Sequence, residues 1–196
     1  MTQTKIRVLL DLSMTVHATS GIPQDARLLY KTLATRDDIE VTGLIYNPWG
    51  LQFHDFCPPD APMGDLLANQ AAFLWGLAHR GESWSRFRVA RIAKKVKNAM
   101  RTMVASRATL QPLETEAFWQ VLWRLMFAAT FKPEDMELVR RGKFLLSNLT
   151  GSMIYARGLT NRRPVQLDTT GYDFLIVQGS RPFRVSPGTQ KIVRYH

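Results

Sequence analysis

The sequence predicts an α/β domain in which a parallel sheet carries helices on both faces. Three observations lead there: a β-prone run at residues 6–12 (IRVLLDL), a helical periodicity just after Gly21 and Pro23, and a second β-prone run at residues 39–46 (IEVTGLIY). A parallel strand covered on both sides reads as a near-continuous apolar run, because neither face meets water. The interval between the two runs has the length of the crossover that parallel pairing needs. A right-handed connection is then the default.

Taken in order, the first strand is followed by a polar loop, residues 13–20. Ala26, Leu28, Leu29, Leu33 and Ala34 then recur at three- and four-residue spacings, which describe one face of a helix. Residues 36–38 turn the chain into the second strand. The same grammar returns late, with strands expected at residues 143–146 (KFLL), 174–177 (FLIV) and 191–195 (KIVRY). Residues 165–167 read as a weaker strand or an extended connection, and Gly179, Pro182, Pro187 and Gly188 mark turns. Between the halves, residues 47–141 are too long and too amphipathic for a loop. A Pro-bearing stretch at 48–62 precedes a helix through Leu66, Leu67, Ala71, Phe73, Leu74 and Leu77, and a last helix runs through Phe118, Leu122, Leu125 and Met126. The whole, residues 1–196, reads as one Rossmann-like domain with a helical insertion at about 47–141. No internal repeat or low-complexity tract interrupts it.

With 196 residues, 45% of them apolar, the chain can bury a core of its own. Its single cysteine, Cys57, cannot close an internal disulfide, and no Cys/His grouping has zinc-ligand spacing, so neither an oxidised scaffold nor a structural metal is indicated; no cofactor is expected either. The first seven residues run straight into a short strand without the apolar core of a signal peptide, and no run reaches the ~18 apolar residues of a spanning helix. The expected location is cytoplasmic, with peripheral contact at the inner face of the membrane as an extension of that reading.

Charge is unevenly distributed. The formal net charge is +10, and residues 80–107 alone hold nine Lys or Arg against one acid, Glu82. There Val89, Ile92, Ala93, Val96, Met100 and Met103 share a helical face, Arg91, Lys94, Lys95 and Arg101 lie largely off it, and Trp84 and Phe87 stand at its start beside Arg88. A basic amphipathic helix with aromatic anchors suits an anionic membrane interface. It equally suits a solvated face packed on its own domain. A nucleic-acid role is disfavoured, since no zinc module, RNA-recognition motif or helix-turn-helix accompanies the charge.

The loop after the first strand is the natural ligand loop of an open α/β sheet. Gly21 permits a close backbone approach, and the helix after it offers unpaired N–H groups to an anion or a sugar hydroxyl. No G-x-G-x-x-G fingerprint is present, and an ordinary helix start has the same residues. At these positions the chain resembles a known family. Residues 6–13, then Thr19-Ser20-Gly21-Ile22, then Arg27-Leu28-Leu29 and Leu33, are similar to the opening of family 4 type glycosyltransferases of the GT-B fold. The ending agrees: Tyr172 to Gln178 resembles a late strand of that domain, and Val185-Ser186-Pro187-Gly188-Thr189 leads into Ile192 to His196. The likeness covers about the first 50 and last 55 residues and not the helical middle.

The resemblance implies one half of a GT-B fold, the N-terminal, acceptor-side half, inactive as this fragment alone. A sugar would pass from a nucleotide-diphosphate donor, held mainly by a second domain with paired glutamates, to a glycan or lipid-linked acceptor. It places Ser20, Gly21 and Ile22 near the donor phosphates or sugar, Gln178 and Arg181 on the acceptor side, and His196 at the cleft as the catalytic candidate. His17 and His54 have no recognisable partner, and no general base is legible. The alternative is a non-enzymatic Rossmann-like module that binds polyanions or a membrane surface through the basic helix. A nucleotide-using enzyme of another Rossmann type is opposed by the missing glycine-rich phosphate loop.

Overall fold

The first β-prone run is buried from Val8 onward, on both sides, and this makes it the centre of the sheet. The computed structural model describes residues 4–19, 21–47, 55–58, 60–79, 107–151, 153–154 and 164–195. In chain order these form β1 (Ile6–Asp11), α1 (Ile22–Ala34), β2 (Ile39–Asn47), α2 (Met63–Ala78), β3 (Arg107–Ala108), β4 (Leu110–Pro112) and α3 (Thr115–Leu122). They continue with α4 (Met136–Arg140), β5 (Lys143–Thr150), β6 (Val165–Leu167), β7 (Phe174–Gln178), β8 (Phe183–Arg184) and β9 (Gln190–Arg194).

The main sheet runs β4-β5-β2-β1-β7-β9. Every pairing in it is parallel except β4 on β5, so the sheet is mixed but mostly parallel. β1 pairs with β2 with Ile6 opposite Ile39, and with β7 with Val8 opposite Phe174. α1 makes the crossover from β1 to β2, and Pro23 costs it nothing because first-turn N–H groups lack intrahelical acceptors. Without β4, the parallel strands follow the order 3-2-1-4-5 of doubly wound sheets, reversing direction at β1.

Two apolar clusters fill the faces. On one side Leu10, Val41, Ile45, Phe144 and Leu146 of the sheet meet Ala26 and Tyr30 of α1, Phe73, Leu74 and Leu77 of α2, and Leu122, Met126 and Phe127. Tyr30 packs its ring against Phe127 and Phe144 at 5.4 and 5.6 Å between centroids. On the other side Leu9, Leu44, Tyr46, Leu175 and Val177 are covered by a small parallel sheet, β3-β6-β8, and by the helical residues Met153 and Ile154. Of that second sheet only β6 matches an expectation, the weaker strand at 165–167, since β3 and β8 have two residues each. The expectation of helices on both faces is corrected, because among the described residues this face is covered mainly by a sheet.

The insertion differs in part from a purely helical segment. α2 and α3 stand where the periodicity places them, but residues 107–108 and 110–112 are strands, and β4 closes one edge of the main sheet. Pro112 is tolerated there because an edge strand has a free side for a residue without an N–H. The buried Gln70 of α2 ties this edge down: its Nε2 donates to the Pro112 carbonyl at 2.8 Å and its Oε1 accepts the Glu114 N–H at 3.0 Å. Beyond Leu122, α3 widens by one residue per turn, shown by the Ala128 N–H bonding to the Trp123 carbonyl at 2.8 Å. Among the described residues no helix is long and apolar enough to cross a membrane.

Gly43 in β2 stands where a side chain has no room. A Cβ there would lie 2.6 Å from Phe144 Cδ1 and 2.8 Å from Leu12 Cδ1. Gly43→Ala is expected to lower the unfolding free energy by about 1–3 kcal/mol through overpacking, read from the urea midpoint at unchanged slope.

Candidate functional site

Reversal of the strand order between β1 and β7 sends their outgoing loops in opposite directions, and in open α/β sheets this is where a crevice forms at the carboxyl ends of the strands. From β1 the chain makes one helical turn at Ser13–Thr15, passes His17 with a φ of 56°, and reaches Gly21 with a φ of 68°. Gly21 is the residue that tolerates this left-handed backbone without a Cβ clash, and its carbonyl accepts the Asp25 N–H at 3.0 Å to start α1. From β7 the chain leaves through Gly179, with a φ of 81°, to Arg181. β9 ends beside them at Arg194, whose guanidinium reaches Asp25 in the first turn of α1 at 2.5 Å.

The floor of the crevice is polar. Asp11, the last residue of β1, is fully buried and accepts the Ser13 N–H at 2.9 Å and the Tyr46 hydroxyl at 3.1 Å. Burial pushes its carboxyl above the usual aspartate range, while the Ser13 and Tyr46 hydrogen bonds and the charge of Arg181 pull the other way. Ser13 Oγ in turn accepts the Tyr46 N–H at 2.9 Å, so the loop is locked to β2. Half-buried Arg181 places its Nη2 3.2 Å from Met14 Sδ, and its buried Nε has no hydrogen-bond partner among the described residues.

Arg27 holds the loop from beneath. It lies on α1, is 1% exposed, and donates to the carbonyls of Thr15 and Ala18 in the loop and of Met126 beyond α3, and to Thr130 Oγ1 at 3.0 Å. His17 contributes from the other side, its Nε2 bonding to the Ala78 carbonyl at 2.8 Å and its N–H to Leu125 at 3.1 Å. The expectation that His17 lacks a partner is therefore corrected: a backbone carbonyl about 60 residues away is invisible to a local reading. Its role is to brace the loop.

Of the residues singled out from sequence, Gly21 and Ile22 open α1, Gln178 ends β7 and Arg181 lies in the loop after it, so the structure brings these four to the carboxyl end of the sheet. Ile22 is partly exposed at 36%, whereas Gln178 is 3% exposed and belongs to the wall. Ser20 and His196 lie outside the described residues, as do His54, Trp84, Phe87, Arg88, Arg91, Lys94, Lys95 and Arg101. Asp11 is not among the candidate residues that the sequence offers. Its signal was there, a carboxylate closing an apolar strand. Arg27, set within a leucine-rich helix, carried no comparable signal.

Chemically the edge offers a guanidinium and the N–H groups of a helix start over a sealed carboxyl, which suits a hydroxylated or anionic ligand. Asp11 lies too deep to take a proton from a ligand directly. Among the described residues no three His, Cys, Asp or Glu side chains assemble as metal ligands. Compared with known proteins, the chain matches no family model, no curated protein and no solved structure.

Because the folded state raises the Asp11 pKa, it holds that proton more tightly than the unfolded chain does. The group's contribution is then most favourable below the unfolded value and declines as pH rises through the folded one. Asp11→Asn keeps an acceptor for Ser13 and a partner for Tyr46 without the charge. Urea unfolding across pH should show the variant gaining on the wild type from acid to neutrality; a difference that is flat with pH refutes the assignment.

Proposed function

We propose that this chain forms the acceptor-side wall of a sugar-transfer cleft, one half of a GT-B glycosyltransferase of family 4 type. A nucleotide-sugar-binding domain would form the opposite wall. One observation carries the reading: the strand-order reversal, the left-handed Gly21 that opens α1, and the unsatisfied Arg181 Nε all belong to one sheet edge. It supports the resemblance of residues 6–13, 19–22, 27–29 and 33, and of 172–178, 185–189 and 192–196, to that family, since the described residues among these build the edge.

On this reading the glycan or lipid-linked acceptor lies against Gln178 and Arg181. The donor sugar and its diphosphate face Gly21 and Ile22. Charge developing on the departing diphosphate would be stabilised by the N–H groups of α1 and by Arg181, a preorganised electrostatic contribution that needs no metal. Asp11 positions: through Ser13 and Tyr46 it fixes the loop, and its charge bears on Arg181. His196 remains the proposed cleft histidine by resemblance alone.

In saturation-transfer NMR, saccharides should receive magnetisation from the chain and lose most of it in Arg181→Met, while nucleotide-diphosphate sugars bind no more tightly than about 1 mM. Micromolar binding of a nucleotide-sugar by calorimetry, or no response from any saccharide, overturns the reading.

A second role is favoured by the charge pattern, with nine Lys or Arg in residues 80–107. We propose that this segment touches an anionic membrane surface, where each cation contributes about 1 kcal/mol and apolar anchors add to it. Charge reversal at Arg91, Lys94 and Lys95, and separately Trp84→Ala with Phe87→Ala, should each reduce sedimentation with phosphatidylserine vesicles. Sedimentation unchanged in both variants rejects membrane contact, and sensitivity to charge alone with a steep salt dependence points to a polyanion instead.

A further inference from the structure

Each of the two loops that leave the sheet at the reversal point is held by a cation from a neighbouring element. Arg27 of α1 holds the loop after β1, and Lys191 of β9 holds the loop after β7. We propose that Lys191 is a positioning residue for saccharide binding: it fixes the main chain that carries Arg181, and so sets where the guanidinium stands without itself touching the sugar. This role presupposes the acceptor-wall reading of Arg181.

The Arg181 carbonyl has two lone pairs and both are taken. The Phe183 N–H donates to it at 2.8 Å across Pro182, and Lys191 Nζ donates to it from β9. The first bond closes a three-residue turn centred on a proline, and the residue before a proline is itself confined to extended backbone. Lys191 Nζ also donates to the Phe183 carbonyl at 3.0 Å and stands 4.1 Å from the centre of the Phe183 ring. One ammonium thus ties both ends of the turn to β9. Upstream, the Gly179 N–H donates to the Arg194 carbonyl at 2.9 Å, so the loop is fastened to β9 on either side of Arg181.

The Arg181 side chain adds little hold of its own. Among the described residues its guanidinium donates to Met14 Sδ at 3.2 Å, and a thioether is a weak acceptor. Its place is therefore inherited from the main chain. Lys191 is half-buried, and burial draws its ammonium below the ordinary lysine range with no charged neighbour offsetting the shift among the described residues. Were packing alone required here, an uncharged side chain of similar length would serve at a lower desolvation cost.

Lys191→Met keeps the stem against Phe183 and removes the donors. The test uses the isotope-labelled full chain, with the Arg181 Nε–H signal identified by its loss in Arg181→Met. Val139→Ala, which opens a core cavity on the opposite face of the sheet, serves as a variant of lowered stability. Glucose, galactose and N-acetylglucosamine are the saccharide probes. In Lys191→Met the Arg181 signal should shift and exchange its hydrogen about tenfold faster, and saturation transfer to the probes should fall severalfold. Val139→Ala should leave the signal position and the transfer as in the wild type. An unchanged Arg181 signal in Lys191→Met overturns the proposal and leaves the acceptor-wall reading standing, as does a changed signal with undiminished transfer. An equal loss of transfer in Val139→Ala also overturns it, and a wild-type chain that gives no response from any probe removes both the reading and the role of Lys191.

Discussion

The loop that shapes the crevice depends on one buried guanidinium. Arg27 places a full charge where almost no water reaches it and meets it with four neutral oxygens; no carboxylate is among those partners. Desolvation draws its pKa below the ordinary value, yet an arginine side chain keeps its proton in proteins, so the buried group is a charge. The compensation is geometric: a planar fork with five donors satisfies carbonyls that arrive from three directions. These carbonyls belong to the loop after β1 and to the turn beyond α3, so one side chain joins that loop to the insertion. A lysine, with its donors on a single nitrogen, has no equivalent reach.

The site then has two tiers. Below the surface Asp11, Ser13 and Tyr46 form a hydrogen-bonded set that ties β1 to β2, and above it lie Arg181 and the start of α1. The ion pair between Asp25 and Arg194 links α1 to β9 across the same edge. Rigidity comes from the lower tier. In the upper tier the buried Arg181 Nε has no hydrogen-bond partner among the described residues.

Much of this frame was legible because it rests on local periodicity. Residues 8–12 and 41–46 are buried on both faces, residues 174–177 alternate between half-buried and buried, and Leu29 and Leu33 repeat at helical spacing; the structure places strands and α1 there within a residue or so. β5 runs on to Thr150, past the expected end at residue 146, because its later residues Ser147 and Asn148 are polar yet buried against Thr109. β3, β4 and β8 escaped notice because strands of two or three residues fall below any periodic window, and they exist only through pairing with distant partners. Of the site, the glycine and the polar ends of β7 were readable. The roles of Arg27, Asp11 and His17 were not, since each is defined by acceptors or donors brought from far along the chain.

The place of the insertion has a consequence for how the protein is made. Thr42 of β2 lies beside Lys143 of β5, so this central pairing waits for about a hundred residues to emerge from the ribosome, at 5–20 residues per second. Closing that span costs only about 1.5–2 kcal/mol more than closing a tight crossover, because the entropy grows with the logarithm of length. Time is the greater penalty. For several seconds of synthesis β2 holds Val41, Leu44 and Ile45 beside an unpaired edge of hydrogen-bonding groups, the kind of template on which neighbouring nascent chains associate. The chain's demand on holding chaperones is set during that interval, by the order in which its strands are born.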